Sequence, residues 1–101
     1  MNDGPISVRI DPLLAKIVPK FLERCRLTVV DLQDAVRSGD FSGARRIGHA
    51  LHGTASSFGF DEMAGIGEEI EQAARDRDGG TLKSLAERLD AHVARVRPVF
   101  D

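Results

Sequence analysis

Ala44 to Gly59 reads ARRIGHALHGTASSFG, and the spacing of its apolar residues decides the fold. Projected at about 100° per residue, Phe41, Ala44, Ile47, Leu51, Thr54, Ala55 and Phe58 fall within roughly a third of a helix circumference. His49 lies about 180° from the centre of that stripe. Its helical neighbours at i−4, i+3, i+4 and i+7 are Arg45, His52, Gly53 and Ser56. The stretch is therefore an amphipathic helix carrying a histidine on its wet face, beside basic groups and a position with no side chain. Glycine costs about 1 kcal/mol against alanine in a helix interior, so Gly53, one turn from an exposed imidazole, is read as clearance for something that approaches closely.

Upstream, Ser38-Gly39-Asp40 closes one helix and opens this one, with Gly39 suited to the left-handed position past a helix end and Asp40 to the N-cap. So short a connection implies antiparallel neighbours. The preceding helix runs from Pro19 to Ser38: Phe21, Leu22, Cys25, Val29, Leu32, Ala35 and Val36 recur at spacings of three and four, while Glu23, Arg24, Arg26 and Asp34 mostly lie elsewhere. Before it, Asp11-Pro12 predicts a short helix through Val18, since Asp caps free N–H groups and Pro loses nothing at a first helical position. Pro19 then disfavours α geometry at Val18. Residues 1–10 hold Asn, Asp, Gly and Pro early and no helical period, and are expected to form a flexible leader.

Downstream, Gly59 stops the motif helix, Phe60 takes a hydrophobic staple position and Asp61 an N-cap. A third helix, about Glu62 to Arg75, repeats Met63, Ile66, Ile70 and Ala73 or Ala74, with Glu62, Glu68, Glu69 and Glu71 read as a solvated face, some of it close to the motif helix. Asp76 to Gly80, DRDGG, is a turn. Thr81 caps a fourth helix with the stripe Leu82, Leu85, Leu89, Val93, Val96 and Phe100, its end frayed by Pro98. His92 stands at the margin of that stripe and is read as a packing or surface residue. No strand pattern is recognised. The prediction is an all-α chain: an antiparallel up-and-down four-helix bundle over residues 11–101, with a short extra N-terminal helix over one end.

A chain of 101 residues is one small domain with a single core. At this size there is little room for an enclosed cavity, which puts any chemistry on the surface. A net charge of −2 lacks the basic excess of a nucleic-acid binder. The one cysteine, Cys25, excludes an intramolecular disulfide, occupies an apolar helical position and is read as core packing in a reducing compartment. The first residues have neither the basic nor the apolar region of a signal peptide, and no apolar run approaches the roughly 18–20 residues that span a bilayer. The expected location is cytoplasmic, without membrane insertion, for a monomer or a piece of a larger protein.

His49-Ala50-Leu51-His52-Gly53, followed by Thr54-Ala55-Ser56-Ser57-Phe58-Gly59, resembles the signature of histidine-containing phosphotransfer (HPt) domains of bacterial two-component phosphorelays. There it reads H-x-L-K-G, a run of small residues and a closing glycine. The resemblance covers about residues 12–100: the Ser38-Gly39-Asp40 turn, the motif helix, the segment Ile70 to Arg75 and a last amphipathic helix all match the family's layout. It implies that His49 is the phospho-accepting residue. It also implies partners, namely the receiver domains of response regulators and a sensor histidine kinase, often a hybrid kinase. The domain itself would bind no cofactor and have no independent turnover, with Mg²⁺ held by the partner receiver. Ala50, Gly53 and Ser56 would leave room for that partner. The pattern departs at His52, where the family usually carries lysine. A histidine with a pKa near 6.5 is mostly neutral at pH 7, so Arg45 and Arg46, one turn earlier, are candidates to supply the missing charge.

Two readings from other classes stand beside this one. His49 and His52 at i, i+3 could both ligate Zn²⁺ with a nearby carboxylate, although no third ligand stands at a telling spacing. A helical scaffold could instead dock partners through the same face without accepting phosphate.

Overall fold

The computed structural model describes residues 4–101. Four helices make up most of it: α1 (Val18–Ser38), α2 (Phe41–Phe58), α3 (Asp61–Arg75) and α4 (Gly79–Arg95). The expected turn chemistry sets the first two junctions. Gly39 adopts φ 69° and its N–H bonds the carbonyls of Ala35 and Val36, and the Asp40 carboxylate accepts from the Gly43 N–H at 2.8 Å. Gly59 repeats the left-handed cap at φ 87°. Each helix packs on the next and α4 packs on α1; the contact between α2 and α3 is the most extensive.

The core is aliphatic, with Leu32, Met63, Ile66, Ile70, Leu82 and Leu89 fully enclosed. One aromatic cluster joins the α2–α3 junction to α1, where the Phe21 ring meets Phe58 edge-on at 5.0 Å and lies 5.5 Å from Phe60. Cys25 is buried 3.6 Å from the Met63 sulfur, and burial raises its thiol to about 11. It is therefore an unreactive core group, as read.

Several boundaries differ from those expected. Phe60, not Asp61, is the N-cap of α3; its side chain is enclosed and offers no cap hydrogen bond. Asp61 and Glu62 instead place negative charge in the first turn, where the helix dipole favours it. At α4 the cap is Asp78, which accepts from the Thr81 N–H at 3.1 Å, so Gly79 and Gly80 are already helical. The predicted N-terminal helix is a single 3-10 turn, Pro12–Leu14, capped by Asp11. None of its residues is fully buried, and only Leu14 packs in part against the core, too little burial to hold a longer helix in place.

The largest correction concerns the two ends. Within the expected leader, Ile6–Ile10 form strand β1, and the expected end of the fourth helix, Val96–Phe100, forms β2; residues 1–3 of the leader lie outside the described residues. The strands pair in parallel, Ile6 opposite Val96 through Ile10 opposite Phe100. Val96 and Ile10 point into the core, and Arg9 meets Asp101 at 3.3 Å. Pro98 cannot continue a helical hydrogen-bond ladder and pushes Arg97 toward extended geometry. The chain accordingly leaves the helix at Val96, with ψ at 136°. No described helix is long and apolar enough to cross a membrane.

Candidate functional site

The site is built where α2 and α3 touch backbone to backbone. A Cβ on Gly48 would lie 2.6 Å from the Glu71 nitrogen, and one on Gly67 would lie 2.7 Å from the His52 nitrogen. Only residues without a side chain allow this approach. It brings side chains from α3 up beside the histidine face of α2.

His49 is exposed, its side chain 75% accessible, and its Nδ1 lies 3.2 Å from Glu71 Oε2. A carboxylate can only accept, so Nδ1 carries the hydrogen, and in the neutral ring the lone pair is then on Nε2. The same Glu71 oxygen accepts from Arg75 Nη2 at 3.0 Å, and the Glu71 side chain is only 13% accessible. The carboxylate is thus fixed between an imidazole and a guanidinium. Arg45, Arg46, His49, Glu71 and Arg75 together line one shallow depression.

The other expected site residues divide by flank. Arg45 opens onto the depression, and among the described residues no hydrogen bond or ion pair engages it. Arg46 reaches back to Ser42 Oγ at 2.8 Å and faces partly toward the α1 side. Ala50 lines a groove between α1 and α2 together with Phe21, Arg24, Thr28 and Ile47. Gly53 faces open space, with no atom within 4 Å of where a Cβ would stand, and Ser56 is exposed one turn further on. His52 is half-buried rather than solvated: its Nδ1 lies 3.1 Å from the Ala64 carbonyl, across the helix crossing.

Glu71 and Arg75 are the site residues that the sequence did not single out. The sequence reads the glutamates of α3 as a solvated face with some of them close to the motif helix, without saying which: Glu68 and Glu69 are exposed, and Glu71 is the one against His49. The available signal was the glycine pair: Gly48 and Gly67 on adjoining helices mark a close crossing, and Glu71 stands one turn beyond it. Among the described residues no group of three or more His, Cys, Asp or Glu side chains is placed to hold a metal ion, so the zinc reading gains no third ligand.

Compared with known families, residues 16–98 match the model of the Hpt domain. Neither the curated proteins nor the solved structures returned a match.

Proposed function

The chain belongs to the Hpt domain family, and from that premise we propose that His49 carries the phosphoryl group. Hpt domains are phosphocarriers of two-component signalling that work with kinases and response regulators. In the proposed reaction, a receiver's phosphoaspartate or a kinase donates the phosphoryl group and a second receiver's aspartate takes it, with this domain acting as a monomeric shuttle without turnover of its own.

The observation that carries the assignment is the contact of His49 Nδ1 with Glu71 at 3.2 Å on a side chain that is otherwise exposed; the reacting form is the neutral ring, with its hydrogen on Nδ1 and its lone pair on Nε2. The Nε2 lone pair attacks phosphorus in line and the donor aspartate leaves as a carboxylate. The product is a phosphoimidazolium that keeps its hydrogen on Nδ1, and Glu71 offsets the positive charge created there. Arg45 and Arg75, permanently charged, border the space that the phosphoryl oxygens would occupy. Gly53, Ala50 and Ser56 leave the approach open to a receiver, whose own acidic pocket would hold Mg²⁺.

The bundle is proposed to run up and down. Arg88 of α4 meets Glu69 of α3 at 2.9 Å, whereas His92, further along α4, meets Glu62, earlier in α3. Residue numbers thus rise on one helix as they fall on its neighbour.

The test is transfer from a phosphorylated receiver in Mg²⁺ to the purified domain. Acid-labile, base-stable phosphate on His49, absent from the His49→Gln variant, is the expected result. Persistence of the label in that variant would overturn the assignment.

A further inference from the structure

β1 and β2 form a sheet of two parallel strands, so each has one side without a strand beside it. Such a side presents unpaired N–H and C=O groups, a template for another chain. The two sides are not alike.

Pro98 decides which groups point outward. In a parallel ladder one residue of each opposed pair gives both its N–H and its C=O to the other strand, and the next pair reverses the roles. Pro98 stands opposite Val8 and has no N–H, so Val8 is the residue that bonds across. Ile6, Val8 and Ile10 therefore turn their backbone groups toward β2, and Ser7 and Arg9 turn theirs away. On β2 the outward residues are Val96, Pro98 and Phe100. That side is closed along most of its length: the Val96 N–H bonds the His92 carbonyl, the Val96 carbonyl accepts from Arg97 Nη1 at 2.7 Å, and Pro98 has nothing to donate.

The outer side of β1 is open. Ser7 and Arg9 are exposed, among the described residues no hydrogen bond engages their outward backbone groups, and β2 is the one element that β1 packs on extensively. Neither a proline nor a bulge, two usual protections of a sheet edge, interrupts it. Its one charge, Arg9, is drawn to Asp101 at 3.3 Å.

We propose that this side of β1 pairs antiparallel with β1 of a second copy of the chain, about a two-fold axis at Val8, to give a four-stranded sheet. In that register Ser7 of each copy faces Arg9 of the other, and each facing pair exchanges two main-chain hydrogen bonds. Every outward group of Ser7 and Arg9 is then satisfied. Val8 faces its own counterpart and Ile6 faces Ile10, so apolar side chains meet across the new junction. The neighbouring registers fail. An axis at Ser7 sets Arg9 opposite Pro5, which has no N–H to return. An axis at Arg9 sets two arginines directly opposite, which is destabilising.

Two strands of 5 residues make a contact well below the ~1,200 Å² buried by specific interfaces. The dimer is accordingly weak, and the carrier proposed above is a monomer when dilute. His49 takes no part in the pairing, which is independent of the phosphoryl chemistry.

The test is sedimentation equilibrium of the whole chain from about 10 μM to about 1 mM, the range in which small contacts associate. Hydrogen exchange of the Ser7 and Arg9 amides is followed by NMR over the same range. The average mass should rise toward that of a dimer, and both amides should gain protection as it does. Ser7→Glu puts a carboxylate opposite Arg9 of the second copy and should lower the concentration of half-association several-fold, whereas Ser7→Lys puts like charges there and should raise it several-fold. Ser7→Pro removes an outward N–H, leaves the bonds to β2 in place and should also weaken the dimer. A chain that stays monomeric up to about 1 mM overturns the proposal. So does an association that leaves both amides unprotected, or that Ser7→Glu and Ser7→Lys affect alike.

Discussion

At the scale of single residues, the reactivity of His49 depends on one oxygen atom. Glu71 Oε2 lies against both His49 Nδ1 and Arg75 Nη2, so it selects the tautomer that leaves Nε2 nucleophilic and later faces the phosphoimidazolium. A hydrogen bond with a charged partner contributes about 1.5–3 kcal/mol, and solvent at the exposed His49 side places this one at the low end. Glu71→Ala should slow single-turnover phosphoryl uptake from a receiver by about tenfold, the equivalent of roughly 1.4 kcal/mol. Glu71→Gln, which keeps an acceptor but no charge, should fall between that variant and the native protein. Equal rates in all three would mean that the contact does not act on the reaction. The outward position of His49 was legible in the sequence, because the apolar stripe on the opposite side of its helix declares which way it points. Glu71 was not, because its role comes from a contact across helices and its own helix offers three similar glutamates.

At the scale of elements, the decisive feature is the crossing of α2 and α3. A methyl group on Gly48 would meet the Glu71 nitrogen at 2.6 Å and the Gly67 carbonyl at 2.7 Å, and these are backbone atoms that cannot swing aside. Gly48→Ala must therefore part the helices. Overpacking costs about 1–3 kcal/mol, offset in part by the helix propensity gained, about 1 kcal/mol. The variant should have a lower urea midpoint and, with Glu71 displaced, slower phosphoryl uptake. Gly53→Ala is the control on the same helix: it meets nothing within 4 Å, so it should raise stability by up to about 1 kcal/mol while slowing transfer to a receiver by filling the approach. If both variants lose stability alike, the crossing is not the tight point. The helices were readable because their periods and caps are local, with Gly39, Asp40 and Gly59 doing what their chemistry dictates. The terminal strands were not. Ile6-Ser7-Val8-Arg9-Ile10 alternates, but a parallel partner needs a crossover, and here the whole bundle is the crossover. At the other end, Val93, Val96 and Phe100 satisfy a helical stripe as well, and only Pro98 signals against it.

At the scale of the molecule, the stability of the bundle is tied to pH through His92, which joins α4 to α3. Its side chain is buried, and its Nδ1 stands 3.0 Å from Glu62 Oε2 at an angle too poor for a hydrogen bond. Burial lowers its pKa below the ordinary 6.5; Glu62 opposes that shift, and Arg88 and Arg95 add to it. A histidine whose folded pKa is depressed favours folding in its neutral form. Its contribution is complete above the unfolded value near 6.5 and is lost as the pH falls toward the folded value, because the unfolded chain then binds the extra proton. The urea midpoint should consequently fall between about pH 7.5 and about pH 5.5, a range that brackets the histidine midpoint, and His92→Gln should flatten that fall. Glu62→Gln separates this account from general acid sensitivity. Removing the carboxylate takes away the one influence that favours the imidazolium, so the folded pKa drops further and the midpoint should fall more steeply than in the native protein. The comparison is of slopes, since the loss of a first-turn acid from α3 lowers stability slightly at every pH. Parallel slopes in the three proteins would place the acid sensitivity in groups other than His92.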